Sequence, residues 1–333
     1  MEAAKGSERL VWLSIMRGLT IILVVMFHVQ LVDISTGQNH ELCQKLPLFF
    51  QPLRMPFFIF SSGGLLYLSR ISKGWKTWNL YKDKIQRILI PFLFFVTFYY
   101  CFKACFNPFS KNPIDISFHH FIESFYIFNG HPSAHLWFLA VLLTLMALYP
   151  LFKRICQHNL TMIFFLIISL CLYNCDWDFY IPNIFYLNHI HKYVIFFFFG
   201  IFFFHYRMYD YLANKKSMLA SMAVYLLLYN IEKSLLTSLS GIIMLVATGI
   251  QIAKYVPGMF SSFRDYIYQI YLMSMICQMF VELILWKRIF YNEHLFLLFY
   301  LLNILAGIYI PVLIARIVKK CPYRWIRLCL GLK

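Results

Sequence analysis

The chain has 333 residues, of which 61% are hydrophobic, 20% aromatic and only 13% charged. A soluble domain devotes roughly a quarter of its residues to charge, so much of this surface must face something other than water. The 30 Lys and Arg outnumber the 14 Asp and Glu to give a net charge of +16. These basic residues are segregated between apolar runs, so the excess is read as membrane topology and no nucleic acid partner is expected.

Ten spans are predicted, near residues 10–31, 47–68, 88–106, 136–152, 160–174, 190–204, 217–231, 234–253, 266–286 and 295–315. The longer ones approach the ~17–25 residues that carry a helix across about 30 Å of hydrocarbon. The fifth and seventh are short. The alternating ten-residue segments of a closed barrel do not occur. The expected fold is therefore all-α, a polytopic transmembrane helical bundle. One set of alternate connections holds 21 Lys and Arg, including Lys5, Arg9, the six from Arg70 to Arg87 and the six from Arg316 to Lys333. The opposite set holds six, Lys45, Lys111, Lys192, Lys233, Lys287 and Arg288. The positive-inside rule places both termini in the cytoplasm, and an even number of spans agrees.

The first run lacks a small-residue cleavage site and is too long for a signal-peptide core, so it is read as retained. No linker, low-complexity run or obvious repeat divides the chain, and residues 1–333 are expected to form a single membrane domain with no appended soluble domain. The 107–134 connection, expected outside, exceeds a plain connector, and long loops are commonly functional or disordered. The basic 69–87 loop suits either anionic headgroups or a polyanionic soluble ligand, beside its plain topogenic role. Nine cysteines are scattered without zinc spacing; Cys43, Cys105 and Cys175 fall near the outer face, but free packed cysteines are the favoured reading.

Ionisable groups inside a bilayer cost ~2.5–3.5 kcal/mol or more and are functional candidates by default. The first span offers Arg17 and His28. Eleven residues at 100° each leave them about 20° apart on one helix face, separated by about 16 Å along the axis. A cationic anchor toward the inside with a titratable imidazole further out would suit a ligand lying lengthwise in the bundle. Periodicity alone leaves the plainer readings open: Arg17 snorkelling to headgroups, and His28 as a satisfied interfacial histidine. Arg54, Glu282 and Asn303 also interrupt apolar runs. Ser61-Ser62-Gly63-Gly64 fits close helix packing better than a nucleophilic serine, and Trp137 fits a membrane-interface belt. The groups His119–His120, His131–His135 and His189–His191 lack a matching Asp, Glu or Cys set at ligand spacing, and Pro132 interrupts the second. No metal is expected.

RGLTIILVVMFH (Arg17–His28) resembles the first-helix motif of the acyltransferase-3 family of membrane O-acyltransferases. Further matches follow in family order: MPFFIFSSGGLL (Met55–Leu66), KIQRILIPF (Lys84–Phe92), HLWFL (His135–Leu139) and IYQIYL (Ile267–Leu272). Length and the Met-Pro-Phe-Phe form resemble the branch that acetylates sugars and cell-surface glycans. The resemblance implies a multi-pass protein of a bacterial inner membrane, an acyl-CoA donor (acetyl-CoA most readily) on the cytoplasmic side, and a carbohydrate hydroxyl as acceptor. It also implies that His28 is the catalytic base or acyl relay and that Arg17 orients the donor. Arg87 and Lys84 would bind the donor phosphates or hold the inner mouth. No bound cofactor is implied, and separate glycan-assembly proteins would be the partners besides the bilayer. Two departures stand out. Ser274 occupies a position where relatives often carry histidine, and Lys84 replaces an arginine, keeping charge without the bidentate fork. The alternative is a transporter or flippase of a glycan precursor without covalent chemistry, although paired broken helices are not evident.

Overall fold

A computed structural model describes residues 2–31, 40–109, 113–175, 183–231, 235–289 and 293–332. Of the charges used for topology, Lys111, Lys233 and Lys333 lie outside the described residues, as do the side chains of Lys5, Arg9 and Arg288. The described residues are helical with no strand, as the composition requires of backbone placed in hydrocarbon. Helices occupy all ten expected positions. By length and apolarity, five of them can cross a membrane: Thr77–Cys105, Leu187–His205, Leu235–Tyr255, Arg264–Lys287 and Phe296–Lys319. The pair Ala134–Ala147 and Tyr149–Ile155, bent by 52°, makes a sixth if it is one span. Val11–Phe27 and Asn159–Tyr173 are apolar but shorter. The protein is thus a membrane-embedded, multi-pass helical protein.

The Phe296–Lys319 helix shows why these elements suit lipid. Tyr300, Asn303, Gly307 and Pro311 are buried on one face, while Leu297, Leu301, Leu305 and Leu313 are exposed on the other. An apolar face with no protein over it is stable against acyl chains and not against water. All nine cysteines are free.

The chain forms two compact units. The first comprises Met1–Ser61 and Tyr206–Lys320; the second comprises Ser62–His205 and Cys321–Lys333.

In the first unit, the Glu2–Phe27 helix is held by close approaches. A Cβ on Gly249 would run into the Met16 side chain. One on Gly307 would lie 2.8 Å from Val25 Cγ1, so the two partner helices seat directly on the first. Gly18, beside Arg17, leaves room for the Phe260 ring, which would stand 3.2 Å from an added Cβ. Phe260 itself adopts φ +60°, a left-handed conformation costly for an aromatic residue.

In the second unit, a Cβ on Gly63 would strike the Phe197 carbonyl oxygen and one on Gly64 the Phe204 ring. The Ser-Ser-Gly-Gly run therefore packs against the Ile190–His205 helix, the small-residue role expected of it. Ser61 agrees, since its hydroxyl donates to the Phe58 carbonyl of its own helix at 3.0 Å.

Candidate functional site

His28 stands where the first helix stops. The α-helix runs only to Phe27, and His28 occupies the turn beyond it. The expected span of 10–31 is therefore too long as continuous helix. In an α-helix the Val25 carbonyl would accept from the Val29 N–H. Here it accepts from the His28 N–H at 3.1 Å and from Gln278 Nε2 at 2.9 Å. The Val29 N–H donates to Met26 instead, at 3.3 Å. Gln278 thus takes an acceptor position that a further helical turn would need, and the last turn tightens to i→i−3 bonding.

Gln278 is itself held: its backbone carbonyl accepts from Asn303 Nδ2 at 3.3 Å. Three helices meet at this point through Val25, Gln278, Asn303 and Gly307. The sequence reading noted Asn303 and missed Gln278. A buried glutamine in an apolar run was the available signal, because amides are buried when they have a backbone group to satisfy.

Arg54 is buried, with its guanidinium carbon 3.3 Å from the centroid of the Phe27 ring. Phe27 in turn packs edge-on to the His28 imidazole, with centroids 5.2 Å apart. The Arg54 charge interacts with His28. In the sequence Arg54 was only one more polar residue in an apolar run. The fold makes it the cation next to the imidazole.

Arg17 and His28 are both half-buried, whereas Ile15, Met16 and Val25 on the same helix are fully buried. Arg17 Nε has no hydrogen-bond partner among the described residues. Tyr268 Oη, Gln278 Oε1, Tyr300 Oη and Asn303 Oδ1, all in this unit, share that condition. Buried polar atoms are normally satisfied by protein, water or ligand. This unit therefore retains unused donors and acceptors among its described residues. Ser274 is buried on the same helix as Gln278. Glu282 is paired, its Oε1 accepting from Lys287 Nζ at 2.9 Å.

Lys84 and Arg87 lie in the second unit. Thr77–Lys84 is α-helical, Ile85–Leu89 is π-helical, and Ile90–Cys105 continues as α-helix. Pro91 accounts for the break. It has no N–H to give the Arg87 carbonyl four residues back, and its ring crowds that oxygen. The ladder widens, with the Ile90 N–H bonding Ile85 O, and π-turns of this kind are frequent at functional sites. Buried Asp83 joins the basic groups: its Oδ1 is 3.1 Å from Arg87 Nε and its Oδ2 is 3.3 Å from Arg70 Nη2. The Arg70 guanidinium also stacks on Trp75, 3.5 Å from the ring centroid. Lys153 Nζ donates to the Trp75 carbonyl at 3.0 Å and Tyr149 Oη does so at 2.9 Å. The basic loop is thus fixed in place, leaving Arg87 exposed and Lys84 half-buried.

His135 is buried with its ring edge-on to Tyr99, centroids 4.3 Å apart. In the 107–134 connection, expected only as a long loop, the described residues 113–134 are tied by hydrogen bonds. Helix Phe118–Glu123 is capped by Ser117, whose hydroxyl accepts from the His120 N–H at 3.2 Å. Tyr100 Oη donates to the Asp115 and Ser117 carbonyls at 3.2 and 3.0 Å. His131 stacks on His120 with centroids 4.2 Å apart. Burial, helped by the neighbouring His120, lowers the pKa of His131, and Glu123 opposes that shift. His119 and His120 both approach Glu123, at 3.5 and 3.8 Å, a carboxylate at helical spacing that the sequence reading did not credit to them, and His131 joins His120 from further along the connection.

A sequence profile described as an acyltransferase domain matches residues 10–316. No curated protein and no solved structure gives a significant match.

Proposed function

The chain belongs to the acyltransferase-3 family, and from that premise we propose that it transfers an acetyl group from acetyl-CoA to a carbohydrate hydroxyl. The observation that carries this reading is the His28 corner. A single imidazole stands where the first helix ends, the turn before it held by the Gln278 bond to the Val25 carbonyl, with the Arg54 cation stacked on the adjoining Phe27 ring and Arg17 further back on the same helix.

The chemistry needs a base, a charge and an anchor. His28 takes the proton of the acceptor hydroxyl as its oxygen bonds to the thioester carbonyl carbon. The carbon–sulfur bond then breaks, and the proton passes to the departing CoA thiolate. Negative charge builds on the carbonyl oxygen between those events, and Arg54 is the cation nearest the imidazole to stabilise it. Arg17, whose Nε has no hydrogen-bond partner among the described residues, holds the donor. The motif resemblance assigns Arg87 and Lys84 to the donor phosphates on the cytoplasmic side; within their own unit, Asp83 fixes the Arg87 guanidinium. The acceptor class, a cell-surface glycan or lipid-linked sugar, rests on the motif resemblance, as does a bacterial inner membrane; the ten spans and the cytoplasmic termini rest on the apolar runs and the Lys and Arg asymmetry.

The test is acyl transfer by membranes supplied with acetyl-labelled acetyl-CoA. Label should appear on a glycan fraction. His28→Ala should reduce that transfer about 10³-fold, within the range of a lost general base, while the protein accumulates in membranes as the wild type does. Wild-type transfer by His28→Ala would sink the assignment. Movement of glycan without label would favour a transporter.

A further inference from the structure

We propose that His120, Glu123 and His131 form a binding site for a divalent transition-metal ion of the zinc class, lying in the 107–134 connection. One donor atom from each of the three lies within 4.8 Å of the other two. His120 Nδ1 is 3.8 Å from Glu123 Oε2. His119 Nδ1 is 3.5 Å from the same oxygen and offers a fourth donor from an exposed position. Zinc bonds of 2.0–2.1 Å set donor separations of about 3.3 Å in a tetrahedral site, so closing on an ion takes movements of about 1 Å.

The residue types fit that ion. Two imidazoles with one carboxylate suit zinc and its neighbours, whereas calcium and magnesium select oxygen ligands. Three protein ligands also leave a position open for water, His119 or a substrate oxygen. The present arrangement leaves ring nitrogens unused. His131 Nδ1 and His120 Nε2 are buried without hydrogen-bond partners among the described residues. Binding exchanges the ring stack for in-plane nitrogen–metal bonds by rotation of the two imidazoles.

The scaffold is prepared before any ion arrives. His120 and Glu123 are three residues apart on one helix and so share a face. His131 follows Gly130, whose φ of +81° turns the chain back in a conformation open to glycine. Ser133 Oγ donates to the Ser124 carbonyl at 2.8 Å, tying the His131 turn to the end of the helix. Supporting bonds of this kind orient ligands for a metal. An ion here would add a cross-link between the helix and the His131 turn to the bonds that already join them.

The experiment uses the full-length protein in detergent, stripped with chelator, reloaded with Zn²⁺ and assayed for metal content and affinity. Wild type should retain one Zn²⁺ per chain that Ca²⁺ does not displace. Glu123→Gln, nearly isosteric, should weaken affinity at least tenfold, and the double variant H120A/H131A should lose the ion. Zn²⁺ should also raise the melting temperature of wild type and leave that of the double variant unchanged. Should the double variant fail to fold, Glu123→Gln decides alone. No retained Zn²⁺ in wild type, or equal affinity in wild type and Glu123→Gln, overturns the site and leaves a histidine stack beside a carboxylate. Metal content is read without any acyl transfer, so this result stands apart from the proposed enzymatic function.

Discussion

Arg17 and Arg87 are both arginines of the matched motifs, and their surroundings differ in one respect. Arg87 is paired with a carboxylate, since buried Asp83 grips its Nε and reaches Arg70 with the other oxygen. Arg17 has no hydrogen-bond partner for its Nε and no charged group acting on it among the described residues. A paired arginine is held in a fixed pose and has lost part of its attraction for anions. An unpaired one within an apolar helix keeps its full demand for a counter-charge, because the medium around it screens weakly. On the proposed function, Arg87 positions the donor and Arg17 binds it.

Five substitutions at four positions separate these roles. Arg17→Ala should produce the largest effect, a fall of roughly 100-fold in kcat/KM for the acyl donor, the scale of a lost charge-assisted bond in a dry site. Arg17→Lys should recover only part of it, because charge returns without the planar fork. Equal activity of Arg17→Ala and wild type would remove Arg17 from the site and with it the comparison.

Asp83→Asn should come next, and it acts on stability. Removing the carboxylate leaves Arg70 and Arg87 without their shared partner. The loss should be about 1–3 kcal/mol, below the 3–5 kcal/mol of a fully buried pair, because Arg87 is 48% exposed and solvent screens its share. Thermal unfolding in detergent measures it. A melting temperature unchanged by Asp83→Asn would mean that the loop is held by Tyr149 and Lys153 alone.

Gln278→Leu should cost about 1 kcal/mol, the net value of one buried hydrogen bond. It frees the Val25 carbonyl for the Val29 N–H, letting the first helix extend and carry His28 out of position. The distinctive reading is a lower kcat with little change in donor KM; a stability loss without that kcat change would make Gln278 a packing residue only. Arg87→Ala should have the smallest effect, a several-fold rise in donor KM with kcat retained, as suits a half-exposed charge. A larger loss from Arg87→Ala than from Arg17→Ala would reverse the assignment of roles.

Much of this was legible along the chain, and the physics says which part. Apolar runs of span length announce membrane helices because hydrocarbon admits little else. Helices duly occupy the ten expected positions, although only five or six are long and apolar enough to cross by that measure. The periodicity that aligned Arg17 with His28 is a property of one helix and needs no neighbour. It went astray only at the end, where Gln278 from a distant segment stops the helix at Phe27. The widening of the helix at Arg87 was likewise written in the chain, as a proline four residues later.

The histidines show the converse. The sequence reading gave His119–His120 and His131–His135 no ligand set, although Glu123 stands four and three residues after the first pair and reaches both. Folding joins His120 to Glu123 and His131, and sends His135 to Tyr99. Arg54 gained its meaning in the same way, by landing on Phe27 beside His28. Local periodicity and hydropathy depend on neighbours in the chain, so the sequence by itself determined the membrane helices and the family motifs. Partnership between distant residues depends on how helices pack. Only the tertiary structure decided which cations have a counter-charge, where the first helix ends and which histidines meet.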